Sequence, residues 1–405
     1  MSAHNKCGRI AIFLLVAAVF LSGEIRAADK KYAVSQQTYK VLEKSRKLMD
    51  QAKYPAALNQ LQALLPKVAD KHYEFALVHQ HIAYIYLEQG NYAQGLLALE
   101  KTLEYADTLP KETVQNLRYN LAQSAAQTEN YQKAEQALDR WFAEEKRPSA
   151  DAWYLRGLVQ FKRQHSKQAV DFLNRALSMS FHENWAVLLL SIHLELKEFS
   201  NAALILKQLV NAFPEKKEYW NNLCDVYLMT ENYKRALAVL RLAAHRVRLD
   251  EKEHIKLAHL YMHQGIPLAA AQLLQRAIDT RQVHSNASNF ELLANSWAAA
   301  RDPEKELVYL QRAAKLRNDG NLYYRCAQIL LRMEKWRDAV QMLDSALASK
   351  LQSPGQSYLL KGIAAYQAGL IQTAIQAFQR AGQFDNTRNQ AKAWLSQVKA
   401  SKLES

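Results

Sequence analysis

The feature that most constrains this chain is a small residue that recurs every 33–39 positions. The series comprises Ala57, Gly95, Ala134, Ala169, Ala202, Ala236, Ala270, Glu306, Ala339 and Ala374, with a glutamate at one place. Apolar residues at helical spacing surround each member, so each interval predicts a pair of amphipathic helices. A fixed period of this length is typical of repeat architectures. The 11 Gly and 8 Pro in 405 residues agree with long helical stretches, because both residue types interrupt helices.

The clearest repeat unit spans residues 217–250. Its landmark positions carry Trp220, Leu223, Cys224, Tyr227, Tyr233, Ala236, Leu240 and Ala243. With its period of about 34 residues, this unit resembles the tetratricopeptide repeat (TPR) family. The resemblance implies an all-α tetratricopeptide-repeat α-solenoid, a right-handed superhelix of helix pairs. We expect about ten TPR-like repeats over residues 38–386, and a capping helix and tail over 387–405.

Small residues and short turns explain how one unit closes. Cys224 and Ala236 are small where the two helices of a pair cross, since larger side chains would push the helix axes apart. Turns of the Glu129-Asn130-Tyr131 type join the helices, and Asn and Gly tolerate the left-handed geometry that such a turn needs. Glu306 departs from the pattern, because it stands where alanine is usual.

The first 27 residues have the pattern of a secretory signal peptide. Lys6 and Arg9 precede an apolar run over residues 10–21, and a cut after Ala27 is compatible with the sequence. The pattern predicts a periplasmic protein released from a cleavable signal, and the alternative is an uncleaved N-terminal anchor. Cleavage would remove three basic residues and one acidic residue, which lowers the net charge from +14 to +12.

The remaining positive charge favours anionic partners, such as acidic protein segments or polyanionic envelope polymers. A solvated basic surface with no specific partner is the alternative, and nucleic acid is not expected for an exported chain. After cleavage only Cys224 and Cys326 remain. They lie about three repeats apart, which exceeds the ~7 Å limit on Cα separation in a disulfide. We therefore expect two free, buried thiols.

Residues that could carry chemistry are scarce. The sequence has no phosphate-binding glycine loop, no H-E-x-x-H, no C-x-x-C and no G-x-S-x-G. His259 and His263 are four residues apart and could share a metal ion, but a metal site needs a third ligand. We expect no catalytic residue, no cofactor, no metal and no small-molecule substrate. The alternative that the protein is an enzyme rests on this histidine pair. If the pair binds no metal, both histidines simply line the concave surface.

In the family, the second, fifth, ninth and twelfth positions of each first helix face a concave groove. Carried over to this sequence, the peptide-binding surface comprises Tyr84, Leu87, Tyr119, Tyr154, Leu158, Phe161, Asn221, Asp225, His259, Met262, His263, Asn295, Tyr324, Gln328 and Tyr366. Its N-terminal part is aromatic and apolar, and its middle is polar. Such a lining suits an extended peptide or a partner helix. The alternative is that several tyrosines pack between repeats.

The chain also resembles a narrower family, the periplasmic TPR proteins associated with TonB energy-transduction systems. The resemblance rests on the order and spacing of Glu183-Asn184-Trp185, Tyr219-Trp220, Ser296-Trp297 and residues 321–347. It implies an accessory of the TonB, ExbB and ExbD complex, which energises uptake of iron carriers, and it assigns no residue. A scaffold for envelope polysaccharide or cell-wall assembly is the alternative. In both cases the partners are proteins or peptide segments, and the oligomeric state is open.

Overall fold

The computed structural model describes residues 32–404, with side chains described through residue 399. The predicted signal peptide, residues 1–27, lies outside these residues. The chain divides into two compact units, unit 1 ending at Ile205 and unit 2 beginning at Leu206. Residues 32–404 contain 21 α-helices and no β-structure other than an isolated backbone bridge between Asp319 and Lys350. The prediction of an all-α fold built from helix pairs is confirmed.

Unit 1 consists of four pairs of consecutive helices and part of a fifth. The pairs are α1 (Gln36–Asp50) with α2 (Tyr54–Leu64), α3 (His72–Glu88) with α4 (Tyr92–Leu103), α5 (Lys111–Gln127) with α6 (Tyr131–Glu144), and α7 (Ala150–Lys162) with α8 (Ser166–Met179). Helix α9 (Glu183–Glu195) follows, and α10 (Phe199–Ala212) contains the boundary between the units. Each second helix also packs against the first helix of the next pair, which buries the apolar sides of both.

Unit 2 continues the same alternation of first and second helices. The pairs are α11 (Lys217–Met229) with α12 (Tyr233–Arg246), α13 (Glu251–His263) with α14 (Pro267–Asp279), α15 (Ala287–Ala299) with α16 (Pro303–Arg317), α17 (Gly320–Arg332) with α18 (Trp336–Ala348), and α19 (Pro354–Gln367) with α20 (Ile371–Ala381). A last helix, α21 (Arg388–Glu404), packs on α20. None of the helices within residues 32–404 combines the length and the apolar character needed to cross a membrane.

The turn from each first helix to its second helix has one residue in the left-handed region. These residues are Ala52, Gly90, Glu129, Gln164, Lys197, Glu231, Gly265, Arg301, Glu334 and Gly369. The next N–H donates to a carbonyl five residues back, as from Asn232 to Tyr227 at 2.8 Å. This is the Schellman arrangement, which ends a helix while pairing its last carbonyls.

The asparagine of the Glu-Asn-Tyr turns has a different role from the one expected. Asn130 and Asn232 have φ of −84° and −86°, and their side chains accept hydrogen bonds from the N–H groups of Lys133 and Arg235. Both are therefore helix N-caps, which satisfy an otherwise unpaired donor. The left-handed position falls one residue earlier, on a glutamate. The interpretation that asparagine supplies the left-handed geometry was wrong at these turns.

This geometry predicts opposite effects at two equivalent turn positions. We expect Glu231→Gly to raise the free energy of unfolding by about 1 kcal/mol, because a left-handed residue with a Cβ is strained. Gly265→Ala should lower it by a similar amount. The space around Gly265 is open, so its φ of +70° is the only source of strain. Denaturation of the purified variants, followed by circular dichroism, measures both. Equal midpoints for the two variants would contradict the prediction.

The positions where helices cross closely are filled by fully buried small side chains. Cys224 and Ala236 are both 0% exposed, and Cys326 is also fully buried. Both cysteines are free thiols. Burial raises the pKa of Cys224 to about 11 and that of Cys326 to about 12. At neutral pH both remain protonated, and a protonated thiol is a poor nucleophile. Packing therefore accounts for both residues.

The first pair is attached to the second by a buried carboxylate. Glu74 accepts hydrogen bonds from the backbone N–H and the hydroxyl of Ser35, at 3.1 and 2.8 Å, and from the hydroxyl of Thr38. Burial by itself favours the neutral acid, but these bonds and the nearby Lys71 outweigh it and lower the pKa of Glu74. The carboxylate thus fixes the start of α1 against α3.

Glu306 occupies the small-residue position of its pair and is only 8% exposed. Burial raises the pKa of its carboxyl group, and the charges of Arg332 and Arg325 offset this only in part. The protein therefore holds the Glu306 proton more tightly when folded. The stability from this group is complete below its ordinary pKa and is lost as the pH rises through the raised value.

We accordingly expect Glu306→Ala to stabilise the protein by about 1 kcal/mol at pH 7, because an unpaired buried carboxylate is costly. The gain should shrink towards pH 4, where the glutamate is neutral. Glu304→Ala, at an exposed position of the same helix, is the matched control and should change stability by less than about 0.5 kcal/mol. A loss of stability in Glu306→Ala at pH 7 would show that attraction to the charges of Arg332 and Arg325 outweighs the cost of burial.

Candidate functional site

The residues predicted to bind a partner lie on the first helices of the pairs. We call these predicted residues, together with the other side chains at the second, fifth, ninth and twelfth positions of the first helices, the first-helix face, and each unit has its own. Access varies strongly along it. Leu87 and Leu158 are 3% and 8% exposed, so they are core residues rather than binding residues. Leu87 packs over Gly95 of the second helix, where the missing Cβ leaves room for it.

The tyrosines of unit 1 are half-buried and engaged with neighbouring rings or amides. Tyr154 stacks on Trp185, with ring centroids 4.8 Å apart and planes 12° from parallel. The Tyr119 ring centroid lies 5.1 Å from that of Trp141. The hydroxyl of Tyr84 accepts a hydrogen bond from Gln80 at 3.0 Å. Burial raises the pKa of Tyr84 and of Tyr119, so both phenols stay neutral. These rings pack between helices and present only part of their surface.

The exposed apolar part of this face lies on α9, which the sequence interpretation omitted. Val187 and Leu194 are 39% and 36% exposed and occupy the fifth and twelfth positions of the helix. Ser191 lies between them at the ninth position and is also exposed. Counting positions from Glu183 would have identified all three. Together with the half-buried Phe161, they make the end of the unit 1 face apolar.

Three of the predicted polar residues in unit 2 link neighbouring first helices. The Asn221 amide donates to Glu253 at 2.5 Å, and Lys256 donates to Asp225 at 2.6 Å, so both bonds join α11 to α13. Arg325 of α17 donates to the side-chain oxygen Oδ1 of Asn295 in α15 at 2.8 Å. A partner could reach these groups only in competition with bonds that hold successive pairs together.

The unit 2 face includes two adjoining cavities. One, of about 410 Å³, lies between α11 and α13 and is lined by Leu228, Tyr233, Lys252, Ile255, Lys256, His259, Leu260 and His263. The other, of about 330 Å³, lies between α13 and α15 and is lined by Ile255, His259, Ser288, Asn289, Glu291, Leu292 and Asn295. Ile255 and His259 line both cavities, so they form the wall between them.

The two histidines differ in their surroundings. Both rings are exposed, but the His263 ring centroid lies 3.9 Å from that of Tyr233, whereas His259 stands at the wall between the cavities. Among the described residues, no group of three or more His, Cys, Asp or Glu side chains is placed to hold a metal ion. The pair therefore has no third ligand in this part of the chain. Its position suits contact with a bound segment.

The remaining predicted residues of unit 2 are Met262, Tyr324, Gln328 and Tyr366. Tyr324 is hydrogen-bonded to Gln328, and burial raises its pKa. Met262 is partly buried against the core around α13 to α17. The Tyr366 ring lies 6.0 Å from the Trp394 ring of α21. Of these four, only Gln328 is well exposed. The cavities at His259 therefore offer accessible concave surface among the predicted residues of unit 2.

Comparison with known proteins identifies the repeat. The family model described as "Tetratricopeptide repeat" matches residues 81–144, 119–181, 188–251 and 324–387, which together cover more than half of the 405 residues. Residues 252–323 are not matched, yet they contain α14, α15 and α16 and nearly all of α13. A search of curated proteins finds no significant match.

Several solved structures are similar to the chain at low sequence identity. A tetratricopeptide repeat protein from Parabacteroides merdae is 17% identical, with 65% of this chain and 100% of that chain covered and a TM-score of 0.39. YrrB, described as a TPR protein with an unusual peptide-binding site, is 17% identical, with coverages of 46% and 96% and a TM-score of 0.36. MamA from Desulfovibrio magneticus is 18% identical, with coverages of 42% and 96% and a TM-score of 0.30.

Proposed function

Because the chain belongs to the tetratricopeptide repeat family, whose stacked repeats form protein-interaction surfaces, we propose that it is a periplasmic scaffold serving a TonB-type energy-transduction system. Repeats of this kind indicate a protein–protein interaction scaffold. The finer proposal is that the first-helix faces hold polypeptide segments of the TonB, ExbB and ExbD type of complex. In this role the protein assists the uptake of iron carriers and carries out no reaction of its own.

The observation that carries the binding proposal is the pair of cavities separated by Ile255 and His259. Cavities of about 330 and 410 Å³ can each accept a side chain or two of an extended segment. Leu228 and Ile255 supply apolar surface in the larger cavity. Exposed Lys252 at its edge can pair with a carboxylate of the segment. The site therefore suits a segment with alternating apolar and acidic side chains.

The exposed Val187 and Leu194 support a second contact region within unit 1. Aliphatic side chains exposed at the fifth and twelfth positions of one helix form a stripe, since seven residues make about two turns. Such a stripe can receive the apolar side of a partner helix. The assignment to the periplasm and to a TonB system rests on the signal-peptide pattern of residues 1–27 and on the narrower family resemblance.

Site-specific photo-crosslinking in cells tests the binding site. A photoreactive phenylalanine analogue at His259 is expected to capture a TonB, ExbB or ExbD component, identified by mass spectrometry. The same analogue at Gln272, an exposed position on the second helix α14, is the control and should capture none of them. Equal capture at both positions, or capture of none of these components at His259, would contradict the proposal.

Deletion of the gene tests the biological role separately. Cells without the protein should grow poorly on iron carriers that require TonB-dependent uptake, and growth with freely available iron should be normal. Reintroduced wild-type protein should restore growth, whereas a double variant with Ile255→Asp and His259→Asp should not. Unimpaired growth of the deletion strain on every such iron carrier would overturn the assignment to a TonB system.

A further inference from the structure

One helix of unit 2 carries a group of exposed cations with no acidic residue among them. Lys234, Arg235, Arg241 and Arg246 of α12, with Arg248 just beyond it, are all exposed, and we call these five residues the α12 basic surface. No aspartate or glutamate occurs between residues 232 and 249. Spacings of seven and four residues place Lys234, Arg241 and His245 along one stripe.

The α12 basic surface makes no contribution to the internal ion pairs of the repeats. Among the described residues, none of its five cations forms a salt bridge with a carboxylate, and its one ring contact places Arg235 5.8 Å from Tyr227. Arginines elsewhere are used differently: Arg118 pairs with Glu144 at 2.8 Å, and Arg317 with Glu291 at 2.8 Å. Unneutralised like charges on one helix repel one another and create a positive potential that attracts anions.

Exposed aliphatic side chains accompany these charges. Leu242 is 58% exposed and lies on α12 between Arg241 and Arg246 in sequence. The second helices of the next two pairs also expose Leu268, Val308 and Leu316, at 51%, 44% and 59%. No Phe, Tyr or Trp side chain occurs between residues 234 and 249 to stack on a nucleic-acid base. A soluble polyanion would gain little from an exposed leucine, whereas a bilayer gains from both the charges and the leucine.

We propose that the α12 basic surface, together with Leu242, binds the surface of an anionic phospholipid bilayer. The cations contact lipid phosphates, and Leu242 enters the boundary between headgroups and acyl chains. The apolar side of α12, with Ala236, Leu240 and Ala243, stays buried in the repeat. Binding therefore needs no unfolding, and it uses side chains distinct from those that line the cavities at His259.

Vesicle binding of the purified full-length chain tests this proposal. The probes are vesicles of phosphatidylcholine with and without phosphatidylglycerol, at about 0.1 M salt. The triple variant Lys234→Gln, Arg241→Gln, Arg246→Gln should bind the anionic vesicles about 100-fold more weakly than wild type. The matched control Lys40→Gln, Lys44→Gln, Lys392→Gln removes the same charge from exposed positions on α1 and α21 and should bind like wild type. Circular dichroism should show the same helix content for all proteins.

A second variant separates a bilayer from a soluble polyanion. Leu242→Ser should weaken binding to anionic vesicles several-fold and leave binding to dextran sulfate unchanged. Every variant contains the same apolar residues 10–21, so any vesicle binding by that segment is equal in all of them. Only differences in binding between variants therefore report on α12. Equal vesicle binding by wild type and the α12 triple variant would overturn the proposal. If Leu242→Ser binds both the anionic vesicles and dextran sulfate as tightly as wild type does, the partner is not a bilayer.

Discussion

Replacing Phe378 with alanine is expected to lower the free energy of unfolding at the C-terminal end of unit 2 by about 3–5 kcal/mol. The Phe378 side chain is fully buried in α20. Its ring lies almost parallel to that of Trp394 in α21, with centroids 5.7 Å apart and planes 5° from parallel. Truncation would leave a cavity between these helices and remove the ring contact. Because α21 is the last helix of the described chain and packs mainly on the preceding pair, it should be the first element to loosen.

Hydrogen exchange measured by mass spectrometry can localise the effect. Amides of α21 and α20 should exchange faster in Phe378→Ala, while those of α11 to α14 should be unchanged, because repeat arrays lose structure locally. Gln376→Ala, at an exposed position on the same helix, is the control and should cost less than about 0.5 kcal/mol. Unchanged protection of α21 in Phe378→Ala would show that this helix is held by other contacts.

Gly320→Ala is expected to destabilise the pair α17 and α18 by about 2–3 kcal/mol, although it adds a single methyl group. A Cβ at this position would lie 2.7 Å from the carbonyl oxygens of Ala346 and Lys350. Both oxygens belong to the backbone, so no side-chain rotation can make room. The Gly320 N–H also donates to the Lys350 carbonyl at 3.0 Å, and any shift that relieves the clash weakens this bond.

The comparison with Gly265→Ala separates two kinds of glycine. Gly265 has a φ of +70° and open space around it, whereas Gly320 is not in the left-handed region and lies against another segment of backbone. Thermal unfolding of the two variants should show the larger shift for Gly320→Ala. A smaller effect at residue 320 than at residue 265 would mean that the loop at Lys350 moves at low cost.

Residues 319 and 320 illustrate the limit of local pattern. In the sequence, Asp319 followed by Gly320 has the composition of a turn, and the glycine suggests a need for unusual φ. In the structure, Asp319 is the N-cap of α17 and Gly320 is its first residue. The requirement for glycine comes from Lys350, 30 residues later, and no pattern in residues 317–323 encodes that approach.

In the candidate site, too, the local sequence predicts helix positions but not the contacts between helices. Counting helix positions placed Asn221, Asp225 and His259 on first helices, because that assignment depends only on a period of 3.6 residues and on the repeat length. It could not tell that Asn221 and Asp225 bond to the next first helix while His259 remains exposed. Nor could it tell that Leu87 is buried, since that depends on the gap that Gly95 leaves in another helix.

The sequence by itself therefore determined the all-α class, the helix pairs and the small buried residues at their crossings. Each of these follows from spacing within one repeat, where residues a few positions apart must share a helical face. Only the tertiary structure decided which polar side chains are hydrogen-bonded between repeats and where cavities remain. It also decided that Gly320 must lack a Cβ. These features arise where residues about 30 positions apart come into contact, and their geometry depends on how one pair packs against the next.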